Sequence, residues 1–243
     1  MKIINSITLL FSTVLLLSTG CKKDSEKTDS DSYKCTSCVT TPEAVAANDA
    51  SSKGIYKGIV IGSTGTIKFD IQNAGSTIKA YLTIDGSALE LTSAITWEGT
   101  ESYVAPFTGT LNGQAVTILF SVDMNGSQPF IVSANIPGHP NAQFNIAKET
   151  STALIECFEG TYHTTEPEDG TFNILLSRAL NKWGGIARKN GETEVDDING
   201  KIENNKLIED NETTVGTLTN DEINGSFKDD NGTSITVKGK RTL

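Results

Sequence analysis

Asn-Gly and Asp-Gly pairs cut the chain at short intervals: Asp85-Gly86, Asn112-Gly113, Asn125-Gly126, Asn190-Gly191, Asn224-Gly225 and Asn231-Gly232. Both members of such a pair accept positive φ, which a two-residue type I′ turn requires and whose twist matches that of paired strands. Between the turns, residues 66–72, 78–84 and 116–122 alternate apolar and polar side chains, the period of a strand with one buried face. Residues 198–202, 223–227 and 234–239 keep that period with fewer large side chains, which predicts a thinner core in the second half. Asn224-Gly225 lies inside an alternating run and predicts a bulge. No long stretch after residue 52 combines helical periodicity with caps, and short connections imply antiparallel up-and-down neighbours. The fold expected is all-β: two tandem antiparallel β-meander domains of about eight strands each, built as small barrels or curled sandwiches. A single larger sandwich shared by both halves is the alternative.

The tandem arrangement rests on internal similarity. Tyr56-Lys57-Gly58 recurs as Phe158-Glu159-Gly160, and Gly65, Phe69 and Ile71 recur as Gly170, Phe172 and Ile174. Asp85-Gly86 matches Asn190-Gly191, Gly109-Thr110-Leu111 matches Gly216-Thr217-Leu218, and Asn125-Gly126 matches Asn231-Gly232, all at offsets near 105 residues. Two copies are expected, residues 53–150 and 153–243, joined by the polar stretch 147–152. Gly54, Tyr56 and Gly58 form a Gly-x-Tyr-x-Gly opening that is similar to the first strand of calycin-like barrels, a likeness that brings no function with it.

The first 20 residues read as a signal peptide. Lys2 supplies a positive start, and residues 7–17 form an apolar run too short to span a hydrocarbon core of about 30 Å. Ser18, Thr19 and Gly20 are small and precede Cys21, a pattern that resembles the lipobox of bacterial lipoproteins, although Leu17 stands one position before the usual leucine. The resemblance implies a lipid on Cys21 and attachment to a membrane through it. Lys22-Lys23-Asp24 and the acids that follow resemble the export signal of surface lipoproteins in Bacteroidota-type bacteria. That implies an outer-membrane anchor with surface display, the periplasmic face being the alternative. Residues 21–52 are charged and Ser-rich at their start, with too little apolar surface there to fold, and read as a flexible tether.

The formal net charge is −10, and removing residues 1–20 takes away one lysine, giving −11. Such a chain repels nucleic acid, whose binding depends on Lys and Arg displacing counterions. Beyond Cys21 three cysteines remain, an odd number in an oxidising compartment. A local Cys35–Cys38 bridge is one pairing, and Cys157 bonded to either is another. The CxxC spacing lies outside any βαβ unit that would lower a thiol pKa, so redox chemistry is not expected.

No catalytic set stands out. His139 lies in a Pro-Gly turn without a nucleophile elbow, and His163 lies among Glu166, Glu168 and Asp169; both read as solvated loop histidines. Neither shares with Cys35, Cys38 and Cys157 a spacing that would hold zinc, and no metal or other cofactor is expected. Glu166, Glu168, Asp196, Asp197, Asp229 and Asp230 fall near turns and read as solvated, without the spacing of a calcium loop. Trp183, beside Gly184-Gly185, is the first choice for an exposed aromatic that contacts a ligand, and Tyr103 the second; Trp97 has no counterpart in the other copy. The expected function is a lipid-anchored, non-enzymatic binding or adhesion protein of the cell envelope, with a glycan or envelope protein as partner. The alternatives are a glycan hydrolase using a carboxylate pair and a structural subunit of an envelope complex.

Overall fold

The computed structural model describes residues 32–95, 101–166 and 168–243. The segment expected to be a signal peptide, Cys21 and Trp97 lie outside them. Among the described residues sixteen strands form two antiparallel meanders, and no helix is long and apolar enough to cross a membrane. The first meander comprises β1 (Gly54–Ile61), β2 (Gly65–Ile71), β3 (Ile78–Ile84), β4 (Ser87–Thr92), β5 (Tyr103–Leu111), β6 (Gln114–Val122), β7 (Phe130–Asn135) and β8 (Gln143–Lys148). Its order is β7-β6-β5-β4-β3-β2-β1-β8, so β8 returns to β1 and leaves β7 and itself as edges. The second comprises β9 (Glu156–Thr164), β10 (Asp169–Ser177), β11 (Lys182–Lys189), β12 (Asp196–Glu203), β13 (Lys206–Glu209), β14 (Thr214–Thr219), β15 (Glu222–Lys228) and β16 (Ser234–Arg241). There β16 pairs with β9 along seven residues and closes the barrel.

Turn chemistry explains the short hairpins. Asp85-Gly86 and Asn112-Gly113 take positive φ at both residues and join β3 to β4 and β5 to β6. Asn204-Asn205 does the same between β12 and β13 without a glycine, since asparagine tolerates the left-handed region. Asn224-Gly225, expected as a bulge, instead sits in regular register opposite Lys238 and Val237. Its glycine is required because a Cβ there would run into the carbonyl of Val215 on β14.

Register also sorts the internal matches. Tyr56 faces Phe69 and Phe158 faces Ile174, so Phe69 corresponds to Ile174 rather than Phe172. The Asp85 and Asn190 turns occupy the same place, after the third strand of each meander. Gly109 and Gly216, however, lie on the fifth and sixth strands of their meanders, and Asn125 and Asn231 follow the sixth and seventh. The copies share their strand order and differ in closure, since β15 pairs with β16 where β7 and β8 stay unpaired, while those later matches slip by one strand.

β1 is buried along its whole length because it is covered on both faces. Tyr56 and Val60 point into the first core, while Ile59 packs with Ile155, Cys157 and Leu175 of the second meander. The amide Nδ2 of Asn173 on β10 donates to the carbonyl of Val60 across this junction. At one end of it Lys57 Nζ lies 2.7 Å from Glu149 Oε2, both side chains being 0% exposed, with Glu43 Oε2 at 3.3 Å.

Residues 32–52, assigned to a flexible tether by composition, lie instead against both meanders. Their polar groups are bonded by the strand ends: Tyr33 Oη donates to Arg241 O at 2.9 Å, and Cys35 N to Asp221 Oδ2 at 2.9 Å. Glu43 N donates to Glu149 Oε1 at 2.6 Å, and Lys148 Nζ to Asn48 O at 2.8 Å. Backbone satisfaction, which composition does not register, replaces apolar burial here. Cys35 and Cys38 are bridged, and Cys157 is free and buried.

Candidate functional site: the hollow of the second barrel

The two interiors differ. In the first, Phe69 stacks on Phe120 with ring centroids 4.4 Å apart and meets Phe107 edge-on at 4.9 Å, with Tyr56 at 5.3 Å from Phe120. These rings fill the space. Paired register shows smaller side chains at matched places in the second barrel: Ile174 for Phe69, Gly185 for Ala80, Ala187 for Leu82 and Asp196 for Leu89. Phe172 and Trp183, at the places of Ile67 and Ile78, give back only part of the lost volume. What remains is a cavity of about 470 Å³ inside the barrel, within the size range of small-molecule sites. The thin core anticipated for the second copy is therefore a hollow.

Its wall is apolar, with Phe172, Ile174, Trp183, Leu207, Val215 and Ile223 among its residues. Trp183 Nε1 donates to Lys201 O at 3.1 Å, so the indole satisfies its one donor on the strand and leaves its carbon surface to the cavity. Trp183 was expected to be an exposed aromatic, and here it is 5% exposed. It lines the open-mouthed cavity instead. Tyr103 is 1% exposed within the filled first core, 6.5 Å from Phe120, and takes no part in the cavity. Neither ring forms an open platform, because successive strand residues point to opposite faces and both rings point inward.

Strand parity places the opening. The connections β9–β10, β11–β12, β13–β14 and β15–β16 lie at one end of an eight-stranded meander, and residues in or directly beside all four line the cavity. Glu166, Glu168, Asp229 and Asp230 lie in these connections, and Asp196 and Glu209 are the strand-end residues beside them. The acids expected to be scattered on solvated turns thus ring a single mouth; Glu209 joins them and Asp197 does not. Burial pushes the Glu209 carboxyl above its ordinary value, and the charges of Asp230 and Asp210 add to that effect. Asp229 Oδ1 accepts the backbone N–H groups of Asn231 and Thr233 at 2.9 and 2.8 Å, and Glu168 pairs with Lys189 at 2.6 Å. The opposite end is a floor closed by the β10–β11, β12–β13 and β14–β15 turns and by the incoming residues 32–39. Among the described residues no three His, Cys, Asp or Glu side chains converge as a metal-holding group.

The histidines do not form a catalytic set. His139 Nδ1 lies 2.5 Å from Ser63 Oγ and 3.7 Å from Asp85 Oδ2, so hydroxyl and carboxylate meet the same ring nitrogen. A relay needs them on opposite nitrogens. The His139 side chain, read as solvated, is only 14% exposed because it packs over the Ser63 turn. His163 is open to solvent and pairs with Asp169 at 2.8 Å, as an exposed loop histidine does.

Comparison of the chain with family models, curated proteins and solved structures finds no match.

Proposed function

We propose that this chain is a lipid-anchored envelope protein whose second barrel binds a small ligand with a largely apolar body. The cavity carries the reading: a closed barrel of eight strands holds either packed side chains or one small ligand, and this one retains about 470 Å³ unfilled beside a meander of the same strand order whose interior is packed with aromatic rings. An apolar wall with a polar rim favours a small amphiphile over a polysaccharide, whose hydroxyls would find no partners inside. The anchor is assigned to Cys21 from its resemblance to a lipobox. Ser32, whose Oγ accepts from Asn220 Nδ2 at 2.9 Å, sits at the floor of the barrel, at the end opposite the mouth.

Two experiments test the parts separately. Replacing Cys21→Ser should abolish lipid labelling and release the protein from membranes; membrane retention of the variant would refute the anchor. Titration with neutral N-phenylnaphthylamine should give saturable fluorescence enhancement at one probe per chain. Absence of saturable binding would refute the barrel as a ligand site.

A further inference from the structure

The mouth is acidic on every side. Glu166, Asp196, Glu209 and Asp230 lie in or directly beside four different strand connections, so they surround the opening rather than forming one patch. Glu168 and Asp229 add to them, and the only lysine among the lining residues is Lys228. The barrel's arginines lie elsewhere. Arg178 and Arg241 pair with Glu156 at the floor, and Arg188 reaches outward to Asn141 O at 3.4 Å. The hollow is thus apolar within and negative at its rim.

We infer that the second barrel selects amphiphiles that carry a protonated amine or quaternary ammonium, with the apolar body inside and the cationic head held at the mouth. This rests on the cavity being a binding site. An anionic head would meet Glu166, Asp196, Glu209, Asp229 and Asp230 at the same place, whereas a cationic head gains from them; the charge of Glu168 is already paired with Lys189. One carboxylate within about 5 Å of an ammonium contributes about fourfold in affinity even at the dielectric of water. Several acting together, partly screened, give a preference of about tenfold or more over a neutral head. Filling the mouth with a cation also relieves the repulsion that Asp230 and Asp210 exert on Glu209.

The test is displacement of N-phenylnaphthylamine from the full chain by three amphiphiles of equal tail, each below its micelle concentration: dodecyltrimethylammonium, dodecyl maltoside and dodecyl sulfate. The cation should displace at about one-tenth the concentration of the neutral compound or less, and the sulfate should be weakest. High salt should narrow the difference. The double variant Glu209→Gln, Asp230→Asn should lose most of the preference while still binding the neutral probe. Neutralising Glu90 and Glu203, which lie away from the mouth, should leave it unchanged. Equal displacement by all three compounds, or equal loss of preference in both double variants, would overturn the selectivity and leave the cavity as a binding site. Failure of the neutral probe itself to bind would overturn both.

Discussion

Removing the charge of Lys57 while keeping its length, by Lys57→Met, should be among the most damaging substitutions in the protein. Its ammonium lies 2.7 Å from Glu149 Oε2, both side chains are fully buried, and Glu43 at 3.3 Å completes the cluster. Breaking a buried pair on one side costs about 3–5 kcal/mol, chiefly because the remaining charge loses its partner without regaining water. Glu149 keeps two backbone donors, Glu43 N at 2.6 Å and Ile155 N at 3.1 Å, which places the loss near the lower limit of about 3 kcal/mol. For a folded part of this size that corresponds to a fall in melting temperature of about 6–12 °C. Urea and thermal unfolding, followed by circular dichroism, measure it. Because the two residues are coupled, Lys57→Met with Glu149→Gln should lose less than the sum of the single changes, by about 1 kcal/mol or more. A single-variant loss within about 0.5 kcal/mol of zero would mean that water reaches the pair, and would refute its role in joining the two meanders.

Three further outcomes follow from the same contacts. Burial pushes the Cys157 thiol up to about 12, and its Sγ faces the carbonyl of Gly58 at 3.8 Å, so the peptide bearing Cys157 should resist iodoacetamide at pH 8 in the native protein and react once unfolded. Labelling at the native rate of an open thiol would contradict the junction. The raised Glu209 carboxyl means that the folded state binds its proton more tightly than the unfolded chain, so this group costs stability as pH rises above its ordinary value of 4.5. Glu209→Gln should therefore raise the melting temperature at pH 7 and change little well below pH 4.5; the opposite order would refute the burial of that acid. A fragment of residues 153–243 should form its own closed barrel with dispersed amide signals. It should melt below the full chain, because Ile155, Cys157 and Leu175 lose their cover from Ile59. A disordered fragment would show that the second barrel needs the first.

Fold class was legible because alternation and turn residues act locally. Asp85-Gly86 and Asn112-Gly113 specify their hairpins through backbone sterics alone, and the period of two assigns an inward face strand by strand. The slip at Gly109 and Gly216 shows where local matching stops, since short Gly-Thr-Leu runs recur on any strand and only pairing register assigns them. The site was harder to read because it is made of what is missing. Ala187 in place of Leu82 is a small change in a line of sequence, yet it matters when set opposite Asp196 in place of Leu89. The acid ring depends on strand parity, which brings Glu166, Asp196, Glu209 and Asp230 to one end although they span more than sixty residues of sequence. Trp183 was singled out for its neighbouring glycines and belongs to the site for another reason: it points into the barrel.

Substitution at Ala187 tests the hollow most directly. Ala187 lines the cavity, and its counterpart in the filled meander is Leu82, so Ala187→Leu supplies a side chain the same architecture already accommodates. Filling the space should stabilise the protein by about 0.5–2 kcal/mol and abolish uptake of N-phenylnaphthylamine. A variant that is folded and no less stable, yet binds the probe as the parent does, would place the ligand elsewhere and contradict the account.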